Sequence, residues 1–563
     1  MQLETELKLL CQPVVLGRIA RHPAVRACKQ GRAHSEQLIS RYFDTPDGKL
    51  RAAGLALRIR STPGGWVQTL KGEGAGAAGL QVRPEWEWPV PSEAVAGDVL
   101  ADTPALKVLG GKKNLAHALA SLAPMFETEF RRTLHPLLFA DGSRAELCLD
   151  LGEVRTPRRT VPISEAEIEL RGEGGDAARL YELGLALAED LPVRLGYLSK
   201  AARGYALWLP TPSRPAKALP DSLHKAMRRG DAFRTIVGDC MAQMLANEAG
   251  LLAGRNDEYL HQMRVAIRRL RSALAIFRSR TDANPLATAA SELRSLAQAL
   301  GAARDWDVFC SETMGVMARA LPGEAGLAAL VRKAGRLRRM HDRAARQSVL
   351  APAYTLGLLR MGQLLPAADA NIEPGDESLL QFAAGILQKR HRRLRKLCQR
   401  MMELSSGELH RFRISAKKLR YAAEFFNALF PGRRTQAYIK ALSRLQDVLG
   451  SLNDVAGADQ MLGELCRPQR PDDNTMGVMR GWLAATQQRH MEVLPAAWEV
   501  FSAQLRFWKR QLPVRVPELN AAPVMAPGLA AELQQAPGAA LVKNADARHS
   551  ANPDSNKGGK QHV

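Results

Sequence analysis

Several things are scarce in this chain, and each scarcity removes a class of protein. No stretch approaches the roughly 18 consecutive apolar residues of a membrane-spanning helix, which speaks against a membrane protein. Glu4, Glu6 and Lys8 stand where a secretory leader would be apolar, which speaks against export. The seven cysteines (11, 28, 148, 240, 310, 398 and 466) are odd in number and scattered, with no C-x-x-C pair. Neither a disulfide framework nor a structural zinc is expected from them; reduced thiols and a cytoplasmic setting are. Aromatic residues make up only 5% of the chain, too few to favour nucleic-acid recognition by base stacking.

What is abundant is positive charge. The net charge is +22, and it is unevenly placed: through Pro210 the balance is +2, whereas the remainder carries 52 Lys+Arg against 32 Asp+Glu. A polyanionic partner is expected for the second part. The 563 residues have room for two or three domains, each with its own core.

Residues 1–208 consist of short alternating segments separated by Gly and Pro, among them 55–61, 66–71, 85–90, 128–134, 146–151 and 166–170, with helical insertions near 105–122 and 176–190. The pattern predicts an antiparallel β domain. Pro210, Pro212, Pro215 and Pro220 mark a linker over 209–221. Residues 222–512 show 3.6-residue periodicity and no strand signal, and 513–563 have a disordered composition.

In the β half, charges of both signs fall on single strand faces. Glu4, Glu6 and Lys8 alternate with Leu3, Thr5, Leu7 and Leu9; Arg58 and Arg60 share a face, as do Glu85 and Glu87, and Glu165, Glu167 and Glu169. On an open sheet such a face would be solvated. In a closed barrel with helices over the apolar faces, the acids and bases would meet inside. A charged interior is tolerable only if each charge meets a counter-charge or a ligand. A condensed phosphate carrying a divalent metal meets that demand, because bases grip its oxygens while carboxylates hold the hard cation. The glycine-rich Gly72–Gly79 stretch lacks a following GK[ST] helix and is read as a strand connection, and Cys148 as core.

E-x-E-x-K at Glu4–Lys8, YFDTPD at Tyr42–Asp47, LRIR at Leu57–Arg60, TLKG at Thr69–Gly72, RPEWEW at Arg83–Trp88, the Asp150 strand, AEIEL at Ala166–Leu170 and Ser199-Lys200 together resemble a CYTH domain, over essentially all of 1–208. The resemblance implies an eight-stranded antiparallel tunnel that cleaves triphosphate-containing substrates with Mg²⁺ or Mn²⁺. By it, Glu4, Glu6, Glu167, Glu169 and Asp150 would hold metal, with Glu6, Asp150 and Lys8 closest to the chemistry. Lys8, Arg58, Arg60, Lys71 and Lys200 would grip phosphate. Of Arg131 and Arg132 only one can face inward on a regular strand; Arg132 is preferred and both are kept. Glu85 and Glu87 would support the ligands or hold a second metal, unless they simply pair with a tunnel arginine.

The helical half repeats itself. His261–Phe277 aligns with His410–Phe426 at an offset of 149, with identities at His261/His410, Arg264/Arg413, Leu270/Leu419, Arg271/Arg420, Ala273/Ala422 and Phe277/Phe426; at the same offset Gly301 meets Gly450 and Asp305 meets Asp454. On a helix, His261, Arg264, Arg268 and Arg271 form a basic stripe beside an apolar arc, and His410, Arg413, Lys417 and Arg420 repeat it. A solvated face, or a histidine bonded within the core, is the plainer alternative. These segments resemble a CHAD domain over about 222–512, which implies a pair of four-helix bundles binding inorganic polyphosphate. The combined expectation is an inorganic triphosphatase with a polyphosphate-binding helical domain, cytoplasmic and near polyphosphate granules. The alternatives are an adenylate cyclase or thiamine triphosphatase, and a noncatalytic polyphosphate scaffold.

Overall fold

The computed structural model describes residues 2–511 apart from 73, 78, 173, 210–213, 220–221, 255, 279–284, 373–376, 399–403 and 467–472; the expected tail and parts of the linker lie outside the described residues. The N-terminal half is a wholly antiparallel sheet of β1 (Gln2–Leu10), β2 (His34–Asp44), β3 (Ala56–Thr62), β4 (Gly65–Lys71), β5 (Ala75–Ala77), β6 (Leu80–Val90), β7 (Ala123–Leu138), β8 (Arg144–Arg155), β9 (Thr160–Arg171) and β10 (Arg194–Leu195). Because β1 pairs with both β9 and β6, eight strands close into a barrel in the order β1-β9-β8-β7-β2-β3-β4-β6. Strands β5 and β10 are short additions to β6 and β1. The Gly72–Gly79 stretch therefore does connect β4 to β6, with β5 inside it.

Strand parity decides which face is dry. Leu7, Leu9, Leu147, Leu149, Ala166 and Ile168 point outward into a core formed with helices Pro13–Arg21 and Ala177–Asp190. Helices Pro104–Val108 and Leu115–Ser121 cover Leu57 and Leu70 in the same way. With the apolar faces outside, the charged faces have no place but the interior.

One end of the interior is filled. Phe126 and Phe130 on β7, Val154 on β8, Ile163 on β9 and Leu38 and Tyr42 on β2 share the inward parity and cluster with Tyr205 of helix Lys200–Trp208. Tyr42 stacks on Phe126 at 4.5 Å, and Tyr205 meets Phe126 edge-on at 5.0 Å. The helix comes this close because Gly204 has no side chain: a Cβ there would lie 2.0 Å from the Phe126 ring. A Gly204→Val variant is expected to lose about 1–3 kcal/mol through overpacking, read as a lower melting temperature.

In the helical half, helices Arg229–Leu252, Asp257–Phe277, Pro285–Val308 and Ala325–Leu350 recur as Leu379–Leu397, Ser406–Phe425, Arg433–Leu465 and Asp473–Ser502. The order and spacing match the duplication in the sequence. Successive members of each set pack together, and the second helices of the two sets touch. Met263, Ile267, Leu270, Leu274 and Phe277 are all buried, as the apolar arc requires. The described residues of the two halves form one compact unit, and a continuous apolar core runs from Leu7 through Leu183 and Leu187 to Leu358 and Leu359. No helix among the described residues is long and apolar enough to cross a membrane.

Candidate active site

Register sets the tunnel wall residue by residue. Glu6 lies opposite Glu169 and Lys8 opposite Glu167 across β1 and β9; Asp150 faces Glu165 across β8 and β9, and Arg132 faces Asp150 across β7 and β8. On the other side Arg58 lies between Tyr42 and Thr69, Lys71 faces Glu85, and Glu4 faces Arg83. Glu4, Glu6, Lys8, Arg58, Asp150, Glu165, Glu167, Glu169 and Lys200 are all buried.

Lys200 opens its helix, where the backbone dipole disfavours a cation. Three carboxylates overcome this: its ammonium is 2.7 Å from Asp150, 2.5 Å from Glu165 and 2.9 Å from Glu167. Arg132 makes a two-pronged bond to Asp150 (2.8 and 2.7 Å) and reaches Glu167 at 2.6 Å. Lys8 sits 2.8 Å from Glu167. Lys71 binds both oxygens of Glu4 at 2.7 Å and lies 3.0 Å from Glu85, and Arg83 pairs with Glu6.

The charges do not cancel evenly. Burial raises the Glu4 and Glu167 carboxyls, but Lys71 and Arg83 hold the first at about 2, and Lys200 and Lys8 hold the second well below the usual range. Asp150 is likewise held low by Lys200 and Arg132 against its burial. Glu6 and Glu169 go the other way. Burial and the Glu167 charge raise Glu6, and burial, with Glu4 adding to it, pushes Glu169 up to about 7 despite Arg171. Across the tunnel, burial and the neighbouring Arg58 and Arg132 lower Arg60 to about 10; its guanidinium donates to Ser40 Oγ at 3.1 Å and has no ion pair among the described residues. One wall thus has surplus carboxylate and the opposite wall surplus guanidinium.

Surplus buried carboxylate is what a hard divalent cation would relieve, and every donor here but the Cys148 sulfur is a carboxylate oxygen. Oxygens of Asp150, Glu165 and Glu167 all lie within 4.8 Å of one another, as do donor atoms of Glu146, Cys148 and Glu169. Glu4 and Glu6 line the same wall without joining either cluster. The residues fit a metal. Cys148 is buried beside Glu167, and burial pushes its thiol up to about 12, so it stays protonated.

Parity corrects some expectations. Arg131 is exposed on the outer face, since only every second residue of β7 faces in. Glu85 and Glu87 approach Arg58 at 3.8 Å each; Glu87 also accepts from Thr69 at 3.0 Å and is 53% exposed, so both act here as counter-charges to bases. Glu165, Arg83 and Arg203 are tunnel residues absent from the expected set. Glu165 and Arg83 keep the parity of their strands' other site residues, and Arg203 follows Lys200 by one helical turn to reach Glu165.

In the helical half, the two stripes meet. The Arg264, Arg268, Arg413 and Lys417 charges act on one another across the paired helices. Arg264 bonds Asp305 at 3.0 Å and Arg413 approaches Asp454 at 3.7 Å, a matched pair in the two copies. Burial and the Arg268 and Arg413 charges drive the Lys417 ammonium down to about 6. Arg271 and His410 are exposed, and His410 bonds Asn453 at 2.9 Å. Arg420 is turned aside to Glu424 (3.1 Å) and Gln446 (2.8 Å), lining with His261 and Arg269 a separate cleft of about 580 Å³.

Comparison with known families decides what these two halves are. The CYTH domain model matches residues 2–205, and the CHAD domain model matches residues 235–463. This chain joins a CYTH domain to a CHAD domain. An inorganic triphosphatase of Haemophilus influenzae is 32% identical over 167 residues, which are 30% of this chain and 44% of that protein; the match thus spans less than half the length of this curated relative. A CHAD domain solved from the plant Ricinus communis is 34% identical, with TM-score 0.46, covering 52% of this chain and 98% of that one. A Hippeastrum protein, described as an adenylyl cyclase with dominant triphosphatase activity, is 20% identical, with TM-score 0.28, covering 37% and 97%.

Proposed function

We propose that the CYTH tunnel hydrolyses inorganic triphosphate to diphosphate and phosphate with the help of Mg²⁺ or Mn²⁺, and that the CHAD half binds longer inorganic polyphosphate. The observation that carries the reading is the split of the tunnel wall into surplus carboxylate and surplus guanidinium, complementary to a metal-bound phosphate chain. Glu4, Glu6, Asp150, Glu165, Glu167 and Glu169 would hold metal. When bound, the metal supplies charge neutralisation on phosphate oxygens and a more acidic water. Arg58, Arg60 and Lys71 face the chain from one side and Lys8, Arg132 and Lys200 from the other, so charge developing on the departing phosphoryl oxygens meets fixed donors. In this reading Glu6, whose carboxyl is raised, orients the attacking water and takes its proton, while Asp150, held charged by Lys200 and Arg132, orients those bases and the water.

The test is a panel of tripolyphosphate, ATP and thiamine triphosphate with and without divalent cation. Tripolyphosphate is expected to be turned over fastest, and only with metal. Fastest turnover of ATP to a cyclic product, or of thiamine triphosphate, would replace the reading.

Where the two basic stripes meet, Lys417 is neutral above pH about 6 and gains its charge below. A polyanion favours the charged form. Polyphosphate affinity is therefore expected to rise as pH falls through about 6, with proton uptake on binding at neutral pH, measured by calorimetry in buffers of different ionisation enthalpy. Lys417→Met removes both effects.

A further inference from the structure

Strand β1 carries Glu4, Glu6 and Lys8, and two separate contacts tie it to the helical half. The first runs through β10, which pairs with the end of β1 at Leu9 and Leu10. Gly196, just beyond β10, donates its N–H to the Lys8 carbonyl at 2.8 Å. A Cβ on Gly196 would lie 2.5 Å from Lys8 Cγ, so the glycine backbone lies directly on the Lys8 stem and sets its course into the tunnel. Arg194, two residues earlier, is ion-paired to Glu248 of helix Arg229–Leu252. The buried Tyr354 of helix Pro352–Gln363 lies against the same carboxylate.

The second contact runs through helix Ala177–Asp190. At Gly184 this helix is reduced to bare backbone: an added Cβ would lie 2.7 Å from Leu7 on one side and 3.3 Å from Leu359 on the other. Leu7 stands between Glu6 and Lys8, and both leucines are fully buried. Glycine inside a helix is less favourable than alanine because its backbone loses more freedom on folding. Here the close approach of three layers accounts for it.

We propose that the helical half seats the tunnel's working strand: Glu248, through Arg194 and Gly196, is a positioning residue for Lys8, and Leu359, through Gly184, backs Glu6 and Lys8 from behind. The inference rests on the tunnel being a triphosphate site. Its experiment separates its own failure from the failure of that reading. Tripolyphosphate KM is measured together with the dissociation constant of the non-hydrolysed imidotriphosphate in Mg²⁺, on the full chain. Glu248→Gln and Arg194→Gln are each expected to weaken both by about tenfold, since a small misplacement of a positioning group has effects of that order or larger. Arg194→Lys, which keeps the ion pair, is expected to stay near wild type. Gly184→Ala improves helix propensity yet pushes on Leu7, and is expected to weaken both constants in the same direction.

The deciding comparison is with Lys8→Ala. If Glu248 acts through Lys8, Glu248→Gln adds nothing to the loss in that background, as coupled sites require. Multiplying losses, or unchanged constants beside a merely lowered melting temperature, would overturn the proposal. Arg360→Gln removes exposed ion pairs to Glu292, within the helical half, and to Glu189 of helix Ala177–Asp190 at 3.8 Å; neither involves β1, and both constants are expected to stay unchanged. Absence of tripolyphosphate turnover in the wild-type protein would sink the hydrolase reading, and the imidotriphosphate constants would still decide this one.

Discussion

Lys200→Ala is expected to be the most damaging single substitution in the tunnel, for stability as well as activity. Its ammonium touches Asp150, Glu165 and Glu167. Removing one partner of a buried ion cluster typically costs about 3–5 kcal/mol, because the remaining charges stay buried and repel. The pH dependence reverses as well. In the native protein Asp150 and Glu167 have depressed pKa values, so their stabilisation is present above their ordinary values of 3.8 and 4.5 and is lost on acidification. Without Lys200 the crowded carboxylates titrate upward, and stability falls as pH climbs above that range. Divalent cation is expected to restore part of the loss by binding the freed oxygens. Thermal melting between pH 4 and 8, with and without Mg²⁺, checks all three outcomes; a variant melting like wild type at pH 8 without metal would show that the cluster contributes nothing.

The second large effect belongs to the opposite wall. Arg58 is buried, with Glu85 and Glu87 at 3.8 Å as its ion-pair neighbours among the described residues, and burial of the charge is outweighed by Tyr42, to which it is hydrogen-bonded, and by those two acids. Its guanidinium is therefore held charged, fixed by its hydrogen bond with Tyr42 and with no carboxylate in close contact. Arg58→Ala is expected to lower kcat by about 10²–10³, the usual loss on deleting one preorganised donor. Glu6→Ala is expected to match it by removing a metal-side carboxylate. Because Arg58→Ala removes a cation from a guanidinium-rich wall, its melting temperature should change far less than that of Lys200→Ala. Phosphate release from tripolyphosphate, measured beside the melts, separates the two walls. Wild-type turnover in either variant would remove that residue from the site.

How much of this could be read from the chain depended on periodicity. On strands, a period of two places Glu4, Glu6 and Lys8 together wherever the strand lies, so β1 and β9 gave up their residues at once. The same rule contained Glu165, just outside the AEIEL motif, and Arg83, which opens the RPEWEW motif but was given no role there. Helix Lys200–Trp208 is not announced by the two-residue motif Ser199-Lys200, which is too short to carry a period; only the structure shows Ser199 capping a helix and Arg203 one turn along. In the helical half, the stripe angle was readable but its reach was not. Arg271 keeps the angle of Arg264, yet seven residues on, about 10 Å along the axis, it is exposed while Leu270 and Ser272 beside it stay buried. The meeting of Arg264 and Arg268 with Arg413 and Lys417 depends on how two distant helices cross, which no local pattern encodes.

The aromatic stopper formed by Phe126 and Tyr205 has a consequence for traffic. A cylinder sealed at one end is a blind alley, and a polymer cannot be threaded through it. For the proposed triphosphatase, a long chain would offer only its terminus, and the cleaved phosphate would back out along the path by which the next molecule arrives.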